Sequence, residues 1–259
     1  MASSHKLLSL FGAAGVALVA CATAAVADGY EYEPKAMAAP EEGRKFTYSF
    51  SLWGTSDYVF RGVSQTDNDP TIQGAFDIGY GIFYAGVWGS GVDFNENLTG
   101  LDDYIEVDYY AGIKPTWGKA EFDFGVIYYW YPGDSVDLFE LKAGVSGNLV
   151  DKLSVGATVY YNPDYNAEYL VYEGSLGYEF HAIRDFTPTI NGVIGRYDDQ
   201  KGGVDYTYWN AGLGIAVGNI SFDFRYWDTD YSSSDCIAVW SHQSVCDERF
   251  VFTVGVSVP

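Results

Sequence analysis

Ile220 to Asp228, ISFDFRYWD, sets Ile220, Phe222, Phe224 and Tyr226 on one pleat face and Ser221, Asp223, Arg225 and Trp227 on the other. A period of two sends alternate side chains to opposite faces of a sheet. One face here is apolar and strongly aromatic, while the other carries a carboxylate and a guanidinium. Such a strand suits a wall with hydrocarbon on one side and a polar interior on the other.

From Lys45 onward, about twelve segments of roughly ten residues repeat this alternation, the signature of a membrane-spanning β-barrel. Phe46, Tyr48, Phe50 and Leu52 form the oily face of the first, read as one long strand whose polar face continues through Asp57 to Arg61. Phe122, Phe124, Val126, Tyr128 and Trp130 form that of the fifth, and Phe250, Phe252, Val254 and Val256 that of the last. No Lys or Arg interrupts the middle of these faces, where one would cost about 2 to 4 kcal/mol at the bilayer midplane. Arg196 has outward parity but adjoins a loop. The fold expected is an all-β, antiparallel up-and-down transmembrane barrel, with two fewer or two more strands left open because bacterial barrels keep an even number. A soluble sandwich or barrel with its aromatic face inward uses the same alternation, but the aromatic load and the loops argue against it.

Short connections at Gly79–Gly81, Pro115–Lys119, Asn148–Asp151, His181–Asp185 and Gly218–Asn219 alternate with longer ones at Gln65–Pro70, Asn95–Asp102, Asn162–Ala167, Asp198–Val204 and Asp228–Asp247. Pro132–Ser135 is the shortest of the longer set. Outer-membrane barrels have short periplasmic turns and longer external loops, so both termini are expected on the periplasmic side.

Aromatic residues are 18% of the 259-residue chain, and 35 Asp and Glu against 14 Lys and Arg give a formal charge of −21. That balance excludes nucleic acid, which needs basic surface. Mean hydropathy of −0.06 suits a barrel, in which polar interior residues cancel lipid-facing ones. Lys6, the apolar run Leu7–Ala20 and the small-residue site Ala25-Val26-Ala27 read as a signal peptide over residues 1–27. Leu18-Val19-Ala20-Cys21 also resembles a lipobox, which would make Cys21 a lipidated first residue. Residues 28–44 read as a flexible periplasmic leader, and 45–259 as the barrel. No later segment approaches the roughly 18 consecutive apolar residues of a helical span.

Inward positions are rich in acid. Asp57, Asp77, Glu106, Asp108, Glu121, Asp123, Glu140, Glu173, Glu179 and Asp223 are expected to line the lumen, with Arg61, Lys142 and Arg225 as the basic residues among them. In an open pore such charge concentrates cations. In a narrow barrel the same groups would form ion-pair and hydrogen-bond ladders with the tyrosines and plug it, and both outcomes stay open. Asp57 and Arg61, four residues apart, are separated by about 13 Å along a strand, so Arg61 is expected opposite a carboxylate elsewhere, as a constriction or a structural pair. Cys236 and Cys246 flank a polar stretch of an exported chain and read as a disulfide. A metal site is not indicated.

His5 lies in the signal peptide, His181 at a turn and His242 in an external loop, leaving no mid-lumen imidazole for nucleophilic catalysis. Carboxylate pairs such as Glu106 and Asp108 are better explained by the density of lumen acids than by acid–base chemistry. Neither an enzyme nor a cofactor is expected.

Ser56–Thr66 (SDYVFRGVSQT), Pro70-Thr71-Ile72-Gln73-Gly74, Phe83–Trp88 (FYAGVW) and Val92-Asp93-Phe94 resemble the opening of the TorF-like porin family of proteobacteria. The likeness covers about the first third of the mature chain and implies an outer-membrane barrel, with no catalytic residues to carry over. The chain ends Val256-Ser257-Val258-Pro259, departing from the terminal aromatic residue that assembly machinery reads in many such proteins. The expectation is an outer-membrane channel for passive diffusion of small cationic or neutral solutes, with lipid, solutes and the barrel-assembly machinery as partners. The alternative is a closed structural or surface-binding barrel using the loop around Cys236 and Cys246. Solute and oligomeric state, including a homo-oligomer, stay open.

Overall fold

The computed structural model describes residues 46–94, 103–133, 137–164 and 167–259. The signal peptide, the leader, Cys21 and the Asn95–Asp102 loop lie outside them. Among the described residues, twelve long strands form the wall: β1 Phe46–Thr55, β2 Thr71–Tyr80, β3 Phe83–Gly91, β4 Ile105–Ile113, β5 Ala120–Trp130, β6 Leu138–Val150, β7 Leu153–Asn162, β8 Tyr169–Glu179, β9 Thr187–Asp199, β10 Tyr206–Val217, β11 Ile220–Thr229 and β12 Arg249–Val258. Each pairs antiparallel with its sequence neighbours, and β1 pairs with β12 from Phe50↔Val258 to Thr55↔Thr253, which closes the barrel. Closure leaves no strand edge exposed, the condition for crossing hydrocarbon.

The alternation decides which side of the wall each residue occupies. Phe224 lies opposite Leu213 and Phe252 on neighbouring strands, and all three are about half exposed on the outer surface. Ser51, Trp53, Gln73 and Thr253 are buried on the inner one. Trp53 lies over Gly255, where a Cβ would meet the indole 2.5 Å from Nε1.

The two ends of the barrel differ. Gly81–Ile82, Asp151–Lys152 and Gly218–Asn219 are two-residue turns at the end where β1 begins and β12 ends. Gly218 takes φ +60°, a left-handed conformation that glycine enters without a Cβ clash. The opposite end carries the long connections. In the one after β11, α1 (Ser233–Trp240) begins where Ser232 Oγ accepts a 3.1 Å hydrogen bond from Asp235 N, and a 3-10 turn follows at Gln243–Cys246. Sequence analysis gave no helix there, although Ser232 with an acid three residues on is an N-terminal capping signal.

The largest departure concerns the first strand. Asp57 and Arg61 do not continue β1: the chain turns inward after Thr55, and residues 57–66 are buried inside the barrel. Val59–Phe60 pairs with Val63–Ser64 in a small antiparallel hairpin whose tip is Arg61–Gly62. The physical reason is span. About 9 to 11 tilted residues already cross the hydrocarbon, and the ten of β1 complete the crossing.

Candidate functional site

The inward hairpin has the backbone that its tip demands. Arg61 and Gly62 take φ of +48° and +84°, the two positive values of a type I′ turn. Gly62 sits so close to the wall that a Cβ there would run into Thr229 Cγ2 and lie 2.9 Å from Tyr208 Cβ. At the base, Asp57 Oδ1 accepts from Ser64 Oγ at 2.6 Å and Thr66 Oγ1 at 2.8 Å. Its other oxygen accepts from Arg249 Nη1 at 3.0 Å.

Apolar contacts seat the hairpin on several sides of the barrel. Tyr58 packs edge-on against Trp88 at 5.2 Å between centroids, and Phe60 against Tyr129 at 5.9 Å. Val59 joins Trp227 and Val251, while Val63 joins the cluster around Tyr160, Tyr169, Val171 and Tyr208.

At the tip, Arg61 grips Glu140 with both arms of its guanidinium, Nη1 to Oε1 at 2.7 Å and Nη2 to Oε2 at 3.0 Å. Tyr129 donates to Oε2 at 2.9 Å and Tyr169 to Oε1 at 2.6 Å. The guanidinium carbon lies 5.0 Å from the Tyr160 ring centroid and 5.8 Å from that of Tyr169. Both charged side chains are at most 1% exposed. Bidentate pairing, two further donors and aromatic faces are the conditions under which a buried ion pair is tolerated.

The other residues singled out from sequence also lie on the inner side, in two groups. Near the hairpin, Glu106 accepts from Tyr58 at 3.3 Å and Asp108 is buried nearby on β4, whereas Asp77, nearer the turn end on β2, accepts from Tyr110 and Ser49. Tyr131, just past β5, has its phenol held well above the ordinary pKa by burial first and then by Glu106 and Asp108, so it remains a neutral donor. Toward the turn end, Glu121, Asp123 and Glu173 border a space of about 480 Å³ open to solvent, with Lys142, Ser146 and Thr158. There Asp123 accepts from Tyr84 at 2.7 Å and meets Lys142 Nζ at 3.3 Å, and Glu173 accepts from Tyr208. Asp223 and Arg225 pair at 2.9 Å, with Arg225 also donating to Asn210 and Asn191. Beside them a small crevice, with room for about one water, lies at the hairpin base, bordered by Asp57, Gln73 and Trp227. Glu179 sits at the turn end, 3.8 Å from Lys152. Among the described residues, no group of three or more His, Cys, Asp or Glu is placed to hold a metal ion.

Sequence reasoning missed Arg249, which lies at the start of β12 and ties the hairpin base; the tyrosines it offered as carboxylate partners do donate to Glu140, Asp123 and Glu106. Arg249 also donates to Asn68 Oδ1 at 2.6 Å and to the Ser244 carbonyl at 2.8 Å. His242 Nδ1 and Asp67 Oδ1 are 2.8 Å apart. Cys236 and Cys246 are disulfide-bonded and pack in the same cluster as Val63, so the loop after β11 roofs the hairpin. Tyr231 from this loop packs against Tyr206 with ring centroids 4.3 Å apart and the planes tilted by 33°, and burial pushes its phenol up to about 12. Replacing both cysteines by serine is expected to cost the roof about 2 to 3 kcal/mol through regained loop entropy. The check is faster proteolysis within residues 230–248, with the melting point of the barrel little changed.

This architecture is shared with solved porins. The KdgM porin is 11% identical, with a TM-score of 0.56 over 82% of this chain and 98% of that one. The NanC porin is likewise 11% identical, with a TM-score of 0.53 over 81% and 99%. At such identity the likeness establishes a porin-type barrel and nothing finer. No curated protein matches the chain. Residues 37–258 match the family described as "Bacterial protein of unknown function (Gcw_chp)", and the chain belongs to that family.

Proposed function

We propose that the protein is an outer-membrane diffusion channel of porin type, favouring small cationic or neutral solutes, in which hairpin 57–66 sets the constriction. One observation carries this reading: the interior is occupied by an element separate from the wall strands, the hairpin anchored by Arg61 to Glu140. A twelve-strand barrel is wider than the eight-strand ones whose interior side chains fill the lumen. One acid-bordered space lies toward the turn end and a smaller one beside the hairpin base, and carboxylates around a narrow aqueous path favour cations. The resemblance of SDYVFRGVSQT to TorF-like porins supports the same reading, as does the signal-peptide pattern for export to the outer membrane. Assembly there would use the barrel-assembly machinery, and Asp57, Arg61, Asp77, Glu106, Asp108, Glu121, Asp123, Glu140, Glu173, Asp223 and Arg225 would line or narrow the path. No catalytic step is proposed.

A second reading is favoured by the roof over the hairpin: a closed barrel whose Cys236–Cys246 loop is an external contact surface. Replacing residues 57–66 by a short glycine linker separates the two. In planar bilayers the native protein is expected to give small, cation-biased conductance, and the deletion a several-fold larger one. A silent native protein with a conducting deletion supports the closed barrel. Silence from both, in folded protein, ends the channel reading.

A further inference from the structure

We propose that Glu140, Tyr129, Tyr160 and Tyr169 form a cation-binding site on the inner wall, suited to guanidinium and alkylammonium groups, which Arg61 of the same chain occupies as a built-in ligand. The argument begins with where these four residues come from. Tyr129 is on β5, Glu140 on β6, Tyr160 on β7 and Tyr169 on β8, consecutive strands whose ladders fix their register. None belongs to the hairpin. The cage is therefore built by the closed wall, whereas its occupant arrives on a two-residue turn at the end of a separate element.

The chemistry of the cage is that of a cation receptor. The two phenols donate to different oxygens of Glu140, which orients the carboxylate and leaves the outer lone pairs of both oxygens for a forked donor. A guanidinium fits that geometry better than an ammonium, since its parallel N–H groups engage both oxygens at once. The Tyr160 and Tyr169 faces supply the cation–π component. Phe60, 4.7 Å from the guanidinium carbon, leaves with the hairpin and is not part of the site. An incoming cation of this class would compete with Arg61 and favour the state in which the hairpin is released. Access for such a solute rests on the channel reading, but the cage itself does not.

The test uses the full-length protein with Arg61→Ala, and Arg61→Met as a second variant should the first fold poorly. The probe is ethylguanidinium at millimolar concentration, with the neutral isostere ethylurea as control. Ethylguanidinium is expected to raise the thermal unfolding midpoint of Arg61→Ala in detergent, relative to its effect on the native protein, and ethylurea is not. The response should vanish in Arg61→Ala/Glu140→Gln. In bilayers, the concentration of ethylguanidinium that half-blocks the Arg61→Ala current should rise about ten-fold or more in the double variant, as expected when a charge-assisted partner is lost. Equal midpoint shifts in the single and double variants, or equal effects of the charged and neutral probes, overturn the proposal. A non-conducting Arg61→Ala would count against the channel reading alone, because the midpoint shift tests the cage without any current.

Discussion

Glu140→Ala is expected to cost about 3 to 5 kcal/mol, because it removes the bidentate carboxylate partner of a guanidinium that stays buried. The carboxylate is fully buried and accepts from both arms of Arg61 as well as from Tyr129 and Tyr169. Alanine strands the guanidinium in an aromatic pocket and deprives two phenols of their acceptor. A lower midpoint of urea unfolding from lipid vesicles is expected, and, on the channel proposal with release of the hairpin, a larger conductance. Arg61→Ala/Glu140→Ala should recover part of the loss, since no lone charge remains. If the double variant is as unstable as Glu140→Ala alone, the pair is not the anchor.

Phe224→Arg is expected to cost about 2 to 4 kcal/mol in folding into vesicles, the penalty for Arg at the bilayer midplane. Phe224 is mid-strand on β11, opposite Leu213 and Phe252, and stacks on Phe250 at 5.2 Å on the outer surface. The same substitution at Ile220, beside the Gly218–Asn219 turn, should cost about 0 to 1 kcal/mol, because depth controls the penalty. Equal costs at the two positions would mean that the outer face does not contact hydrocarbon.

Much of the wall was legible from residues alone. Phe122 to Trp130 and Ile220 to Asp228 lie on strands with the expected faces, because alternation is a local property that burial against two different media enforces. The Cys236–Cys246 bond followed from reading the two cysteines as those of an exported chain. The hairpin was less legible. Asp57 and Arg61 continue the parity of β1, and the Arg-Gly tip lacks the Asn-Gly or Asp-Gly signal of a type I′ turn. The overlooked clue was length, since the stretch from Phe46 to Ser64 is far longer than one crossing requires. The SDYVFRGVSQT segment that carries the family resemblance is this same hairpin.

The sequence by itself determined a closed wall of alternating strands with an apolar face outward and a polar face, carboxylates among it, inward, because a period of two acts residue by residue wherever the two sides differ. Tertiary structure alone decided what the acid does. Arg61 and Glu140 are 79 residues apart, and Asp57 and Arg249 are 192 apart. Their pairing follows from barrel closure and from the turn that sends the chain inward after Thr55. No local pattern encodes which strand a released segment will meet across the lumen, so the partner of each buried charge appears only once the wall has closed around it.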